Sequence, residues 1–190
     1  VEKDLKKFFK KIDEITHNFN EYFIIMVQSN SQDSTVEIAN KYLSIRKGKL
    51  INKELDINLY RTERLQICRN EYLNYIRNSE TLSKFDYLMV MDSDGINNSL
   101  KFINLENAIN INTNWNAIFA NQKFIYYDIW TLRIKNYIEF DCFQKIKKDS
   151  TQNNKKLKDI FYNSFAYFFY LKKHFRERLI KVESAFGGLG

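Results

Sequence analysis

Two aspartates at the end of a short apolar run are the residues whose types and spacing most directly suggest chemistry. Residues 87–91 are apolar, and Asp92-Ser93-Asp94-Gly95 follows them directly. A continuous apolar run of this length predicts a strand buried on both faces, as in a parallel sheet covered by helices. Residues two apart on a strand point to the same side, so Asp92 and Asp94 are expected to leave its carboxyl end together.

This pair of carboxylates predicts a divalent-cation site. At roughly 6–7 Å, two such charges repel by about 2.5 kcal/mol at an effective dielectric near 20. A bound cation reverses that sign, and oxygen-only ligands suit Mg²⁺ or Mn²⁺. The alternative is a solvated turn, because Asp, Ser and Gly are ordinary turn residues. A calcium loop is excluded, because Ile96 stands where a third oxygen ligand is required.

The composition is that of a folded domain, and the net charge favours an anionic partner. The chain has 190 residues, of which 44% are hydrophobic and 16% aromatic, enough for one domain with a sizeable core. Its two cysteines, Cys68 and Cys142, make neither a disulfide framework nor a zinc site. The net charge of +7 favours nucleic acid, a membrane surface or a phosphate-bearing ligand. No apolar run reaches the roughly 18 residues of a transmembrane helix.

Helical and strand periodicities alternate along the first half of the chain. This alternation predicts an α/β fold with a parallel sheet and right-handed crossovers. Asp33 or Ser34 is expected to cap the second helix, and Gly48 to mark a turn. The predicted elements are a helix over 2–17, a strand over 22–27, a helix to about residue 43, a short strand at 50–51, a helix over 60–79 and the strand at 87–91.

A second candidate surface lies on the helix predicted over 60–79, whose apolar stripe is Leu65, Cys68, Tyr72 and Ile76. Arg61 and Arg69 are eight residues apart, so they lie within about 80° of each other around the helix axis. With Asn70 beside them, they could bind phosphates. The alternative is a solvated face, because arginines are mostly exposed.

The second half of the chain is rich in aromatic residues. Asp128 lies between Tyr127 and Trp130, where a raised carboxylate pKa would suit a general base, but it could equally pair with Arg133. Paired glycines follow Glu183 and permit either a ligand's close approach or an ordinary turn. The predicted elements are strands within 115–121 and 124–133, a lysine-rich loop over 142–156, a helix over 157–175 and a strand over 178–182.

Five segments occur in the order that is typical of one enzyme family. The polar stretch 29–35, the pair Arg69-Asn70 and Asp92-Ser93-Asp94 resemble, in order, three motifs of the GT-A nucleotide-sugar glycosyltransferases: Asp-Asp-Gly-Ser-x-Asp-Gly-Thr, Ala-Arg-Asn and Asp-x-Asp. Residues 126–133 and 182–188 look like the FYDxWALR and SxFGG segments of the capsule-associated α-mannosyltransferases of fungi and similar enzymes of large viruses and bacteria. The resemblance covers about residues 20–190.

The resemblance implies a single GT-A-like domain over residues 1–190, mostly a parallel sheet flanked by helices. This domain is expected to be cut at both ends and to lack its first strand. Asp92 and Asp94 would hold Mn²⁺ or Mg²⁺ against the diphosphate of a nucleotide-sugar donor. Asp128 would act as the acid/base group facing a glycan or protein acceptor, with Glu183 as its competitor. The donor would contact Ser29, Asn30, Arg61, Arg69, Asn70 and Ser93.

Two other functions are compatible with the sequence. A basic, non-catalytic module could bind single-stranded nucleic acid or phosphates, although the lysines are scattered and not interleaved with aromatics. Asp92-Ser93-Asp94-Gly95 also resembles the Asp-x-Asp-Gly-Thr motif of haloacid-dehalogenase-type phosphatases, but Ile96 replaces the Thr and no later Asp-Asp pair follows. Under the leading hypothesis no nucleic-acid partner is expected, and a membrane contact would require segments outside this chain.

Overall fold

The computed structural model describes residues 2–120, 131–136, 139, 179, 181–186 and 189–190. They form a mixed α/β protein that divides into two compact units, Val1–Asn112 and Thr113–Gly190. The predicted order of the first five elements is confirmed. The first unit contains α1 (Glu2–Thr16), β1 (Ile24–Ser29), α2 (Thr35–Leu43), β2 (Gly48–Lys53), α3 (Arg61–Arg77), a 3₁₀ turn (Leu82–Lys84) and α4 (Phe102–Ile109).

Strands β1 and β2 form a small parallel sheet, with α2 in the connection between them. The register runs from Ile24 opposite Gly48 to Ser29 opposite Lys53. Gly48 is the first residue of β2, so the predicted turn there is wrong. A Cβ at position 48 would lie 2.6 Å from the Ile24 carbonyl oxygen, so the close approach of β1 and β2 at this pair requires glycine.

The core of the first unit lies between α1, α2 and one face of the sheet. Leu5, Phe8, Phe9, Ile12 and Ile15 of α1 are all buried, because they recur at helical spacing on one side. Ile24, Met26 and Leu50 alternate along the strands and pack against that side. The buried core consists of Leu5, Phe8, Phe9, Ile12, Ile24, Ala39 and Tyr42.

A polar network fixes α1 to the end of α2. The Arg46 guanidinium donates to both carboxylate oxygens of Asp13, at 2.9 Å from Nε and 2.8 Å from Nη2. The Tyr42 hydroxyl donates to the same carboxylate at 2.7 Å. The Tyr42 ring stacks on Phe9 with centroids 3.9 Å apart, and the Arg46 guanidinium covers its other face at 3.9 Å. The network therefore joins the two helices through hydrogen bonds and ring contacts together.

The apolar run before Asp92 departs from its prediction. Residues 87–90 form no strand, and Met91 occupies only a single bridge position. Tyr87, Leu88 and Met89 are 54%, 50% and 36% exposed. The predicted buried strand is therefore wrong. Apolar composition favours burial, but a strand also needs a ladder partner, and the sheet in the described part of the chain is confined to β1 and β2.

In the second unit, two segments singled out from the sequence lie side by side. Arg133 and Ser184 form an antiparallel bridge, with Arg133 N donating to Ser184 O at 2.8 Å. The Ser184 hydroxyl donates to Thr131 O at 2.6 Å. The residues buried around this bridge are Leu132, Ile134, Ala185, Phe186 and Leu189.

Most predicted elements of the second unit lie outside the described residues. These are the strand at 124–130, the loop over 142–156 and the helix over 157–175. Residues 115–120 belong to no strand, so that prediction is wrong for them. Residues 179, 181 and 182 also lie in no strand, because the described pairing begins further along, at Ser184.

Candidate functional site

The carboxyl ends of β1 and β2 carry the first predicted donor-binding residues. Ser29 ends β1 opposite Lys53, and Asn30 follows with a positive φ of 54°, a conformation that asparagine tolerates. The Asn30 amide exchanges two hydrogen bonds with the Leu55 main chain, at 2.7 Å and 2.9 Å. Asn30 therefore continues the strand pairing with its side chain. This structural role was not expected, and its contact with a nucleotide stays a prediction.

The polar loop after β1 leads into the first turn of α2. Ser34 is the N-cap residue but makes no side-chain capping bond, whereas the Asp33 carboxylate, one residue earlier, accepts a hydrogen bond from Thr35 N, the first N–H of α2, at 3.1 Å. The Thr35 hydroxyl is buried without a hydrogen-bond partner in the described structure. An open depression on this loop is lined by Gln32, Asp33, Ser34, Val36, Glu37 and Asn40.

One turn of α3 contacts both the carboxyl end of the sheet and the aspartate motif. Lys53, the last residue of β2, forms an ion pair with Glu71 at 2.9 Å. Two residues earlier on α3, Arg69 Nη2 lies 3.9 Å from Asp92 Oδ1. Helix α3 therefore contacts the end of β2 through Glu71 and the aspartate motif through Arg69, and the carboxyl ends of parallel strands are where α/β sheets bind ligands.

Tyr72 is a member of this cluster that the sequence did not identify as a site residue. It was predicted as part of the apolar stripe of α3, and it is half-buried there. Burial is the main cause that raises the pKa of Tyr72; the charge of Arg69 opposes this and that of Asp92 adds to it. Its phenol is therefore held neutral beside the Arg69–Asp92 pair. Only its place one turn after Arg69 could have indicated this.

Asp92 and Asp94 lie in a turn, as the alternative interpretation predicted for the local geometry. The Asp94 carboxylate accepts a hydrogen bond from Ile96 N at 3.2 Å. The side-chain amide of Asn97, a buried residue, donates to the Asp92 carbonyl oxygen at 2.9 Å. Gly95 has a φ of +90°, which a side chain rarely adopts. The main chain of the motif is thus held from within the loop.

A cation held by the two carboxylates would take most of its ligands from outside the protein. Asp92 is about one-third exposed and Asp94 is exposed, so both are open to solvent. In the described ranges there is no group of three or more His, Cys, Asp or Glu side chains arranged to hold a metal. Mg²⁺ suits such a site, because it is often bound by one or two carboxylates together with water and substrate phosphates.

The structure brings together only some of the predicted site residues. Arg69 meets Asp92, whereas Arg61 and Asn70 are exposed on α3 and Ser93 is half-buried between the aspartates. Glu183 belongs to the second unit, where it is exposed and its main chain donates to Arg133 O at 2.9 Å.

Asp128, the predicted acid/base group, lies outside the described residues, so neither its catalytic role nor its pairing with Arg133 is tested.

The positive charge of the chain is unevenly distributed. Residues 1–112 contain sixteen basic and sixteen acidic side chains, whereas residues 113–190 contain fourteen basic and seven acidic ones. The unit with the two aspartates is therefore neutral, and the whole net charge of +7 belongs to the second unit. Of the helices that are described, none has the length and apolar character needed to span a membrane.

Comparisons with known protein families, with curated proteins and with solved structures found no match.

Proposed function

We propose that this protein is a metal-dependent glycosyltransferase with a GT-A-like fold. It would move a hexose, for example mannose, from a nucleotide-diphosphate sugar to a glycan or protein acceptor. The observation that carries the proposal is the contact of Arg69 with Asp92 on the same turn of α3 that bonds the end of β2. This contact joins the second and third motifs of the resemblance, and the nearby Glu71 ties the same helix to the carboxyl end of β2, the kind of edge where parallel sheets bind ligands.

In this proposal different residues carry out binding and transfer. Asp92 and Asp94 hold the cation, which supplies Lewis-acid stabilisation of the leaving diphosphate when bound. Lys53 and Arg69 add positive charge beside the phosphates. A bond forms between the acceptor oxygen and the anomeric carbon as the bond from that carbon to the diphosphate oxygen breaks. Asp128 receives the acceptor's hydroxyl proton, with Glu183 as the competing candidate.

The decisive experiment is a calorimetric titration of nucleoside diphosphates, including GDP and UDP, with and without Mn²⁺. We expect one nucleotide to bind only with the metal, and Asp92→Asn to weaken that binding at least about tenfold, because charge-assisted metal contacts exceed about 1.4 kcal/mol. Asp86→Asn is the matched control, since Asp86 is a nearby exposed carboxylate outside the site. Equal binding by the wild type and Asp92→Asn would refute the proposal.

A second candidate function is a basic binding module, which the excess of seven positive charges in residues 113–190 favours. It predicts binding of any single-stranded oligonucleotide without a metal, and a steep loss of affinity as the salt concentration rises. Asp92→Asn would not change that binding. Titrating an oligonucleotide at two salt concentrations, on the same two proteins, separates this function from sugar transfer.

A further inference from the structure

We propose that Arg69 is an internal counter-ion of Asp92 that leaves the carboxylate when a divalent cation binds and then takes the donor diphosphate. The inference rests on the proposed function, and it adds a regulatory step to the same site. Metal and nucleotide would bind cooperatively, because each one favours the arrangement of Arg69 that the other requires.

The contact between Arg69 and Asp92 is long and partly exposed. Arg69 Nη2 and Asp92 Oδ1 are 3.9 Å apart, beyond the roughly 2.7–2.9 Å of a charge-assisted hydrogen bond. Both side chains are 33% exposed, so water and ions reach them. The same protein contains a different kind of arginine–aspartate pair, since Arg46 binds both oxygens of Asp13 at 2.8–2.9 Å. The Arg69–Asp92 contact is therefore the looser of the two pairs and the easier to exchange.

The main chain around Asp92 allows its carboxylate to change partners without unfolding the turn. The Asn97 amide holds the Asp92 carbonyl oxygen, and Asn97 itself is buried. The main chain of Asp92 is therefore held by a contact that does not involve its carboxylate. On the helix, Arg69 lies within the turn that Glu71 and Lys53 connect to β2, so its Cα is also held.

The charges of Arg69, the cation and the diphosphate determine how each one affects the binding of the others. A guanidinium and a divalent cation attract the same carboxylate and repel each other, so the cation alone binds against the charge of Arg69. A diphosphate supplies negative charge that both positive groups share, and guanidinium binds phosphate oxygens in a bidentate manner. Removing Arg69 should therefore move the two affinities in opposite directions.

The test measures Mn²⁺ binding without nucleotide by electron paramagnetic resonance, and nucleoside-diphosphate binding at saturating Mn²⁺ by calorimetry. For Arg69→Gln we expect Mn²⁺ alone to bind about two- to fivefold more tightly, as befits a partly exposed ion pair. The nucleotide should bind at least about tenfold more weakly, since a charge-assisted contact is lost. Arg77→Gln, the same charge change at the exposed end of α3, should alter neither affinity.

Arg69→Lys separates charge from packing: it should keep the weak Mn²⁺ binding of the wild type but lose part of the nucleotide affinity. Unchanged or weaker Mn²⁺ binding in Arg69→Gln would overturn the inference, provided that Asp92→Asn abolishes binding in the same assay. If the wild type binds no Mn²⁺ that depends on Asp92, the proposed function fails and this inference fails with it. The two failures are thus distinguished by the Asp92→Asn measurement.

Discussion

Replacing Asp13 by alanine should destabilise the first unit far more than its surface position suggests. The carboxylate of Asp13 accepts three hydrogen bonds, two from the Arg46 guanidinium and one from the Tyr42 hydroxyl. Alanine removes all three and leaves the two donors on α2 and its C-terminal extension without this acceptor. The α1–α2 contact is part of the main core, so the free energy of unfolding of the whole unit should fall.

The expected magnitude follows from the exposure of the three partners. Asp13 is 42% exposed and Arg46 20%, so water screens the ion pair, and we assign it about 1 kcal/mol. Tyr42 is 8% exposed, and a buried hydroxyl that loses its acceptor costs about 1–3 kcal/mol. Asp13→Ala should therefore lower the free energy of unfolding by about 2–4 kcal/mol. Asp13→Asn keeps an oxygen for Tyr42 and should cost only about 1 kcal/mol.

Urea denaturation followed by far-ultraviolet circular dichroism measures these differences. Glu14→Gln is the control, because Glu14 is adjacent on α1 and its carboxylate pairs with Lys11 on the same helix. We expect a smaller loss of stability for that variant than for Asp13→Ala, since no contact between α1 and α2 is removed. If Asp13→Ala were as stable as Glu14→Gln, the network would not support the core. If Asp13→Asn cost as much as Asp13→Ala, the Tyr42 hydrogen bond would not carry the larger share.

Two further changes test the pH dependence of polar contacts in the same unit. Burial first, and then the hydrogen bond to Asp13, raise the pKa of Tyr42 above its ordinary 10.0, so its stabilisation is complete below pH 10 and is lost as pH rises through the folded-state pKa. Denaturation between about pH 10 and 11 should show a falling free energy of unfolding, and Tyr42→Phe should reduce that fall by about 1 kcal/mol over this pH unit; an unchanged slope would show that Tyr42 does not cause it. Asn30→Asp should cost about 1–3 kcal/mol at neutral pH, because a carboxylate oxygen would face Leu55 O across 2.7 Å. The folded-state pKa of the new carboxyl would be raised above its ordinary value of about 3.9, so the defect should shrink as the pH falls from neutral through that raised pKa and be smallest below about 4. A defect that is equal at about pH 7 and about pH 4 would argue against the Leu55 contact.

The sequence predicted α1 and β1 well because their burial patterns are local. The apolar residues of α1 recur at helical spacing and lie on one face, and the structure buries that face. The first polar loop was also predictable in kind, since Asp33 is a capping residue type and accepts the bond from Thr35 N. Periodicity and capping act within a few residues, so a single chain segment carries the information.

Whether residues 87–91 form a strand depends on residues distant in the sequence, so it could not be predicted in the same way. Composition gives an apolar run a preference for burial, but ladder pairing is set by which strands lie beside it. The two strands of the described sheet pair with each other, and the run lies outside them. The meeting of Arg69 and Asp92 is likewise a tertiary fact: the motif order singled out both residues, but neither spacing nor type fixed their 3.9 Å separation.

The parallel pairing of β1 and β2 has a consequence for the order of folding. Every pair in the ladder joins residues 24 positions apart, as Ile24 and Gly48 show, so no local hairpin can start the sheet. Closing a loop of that length costs about 3 kcal/mol of chain entropy before the first ladder bond forms. The docking of Ala39 and Tyr42 on α1 shortens that search, because α2 lies within the loop. During synthesis, therefore, β1 remains without its β2 partner until residues 48–53 have left the ribosome.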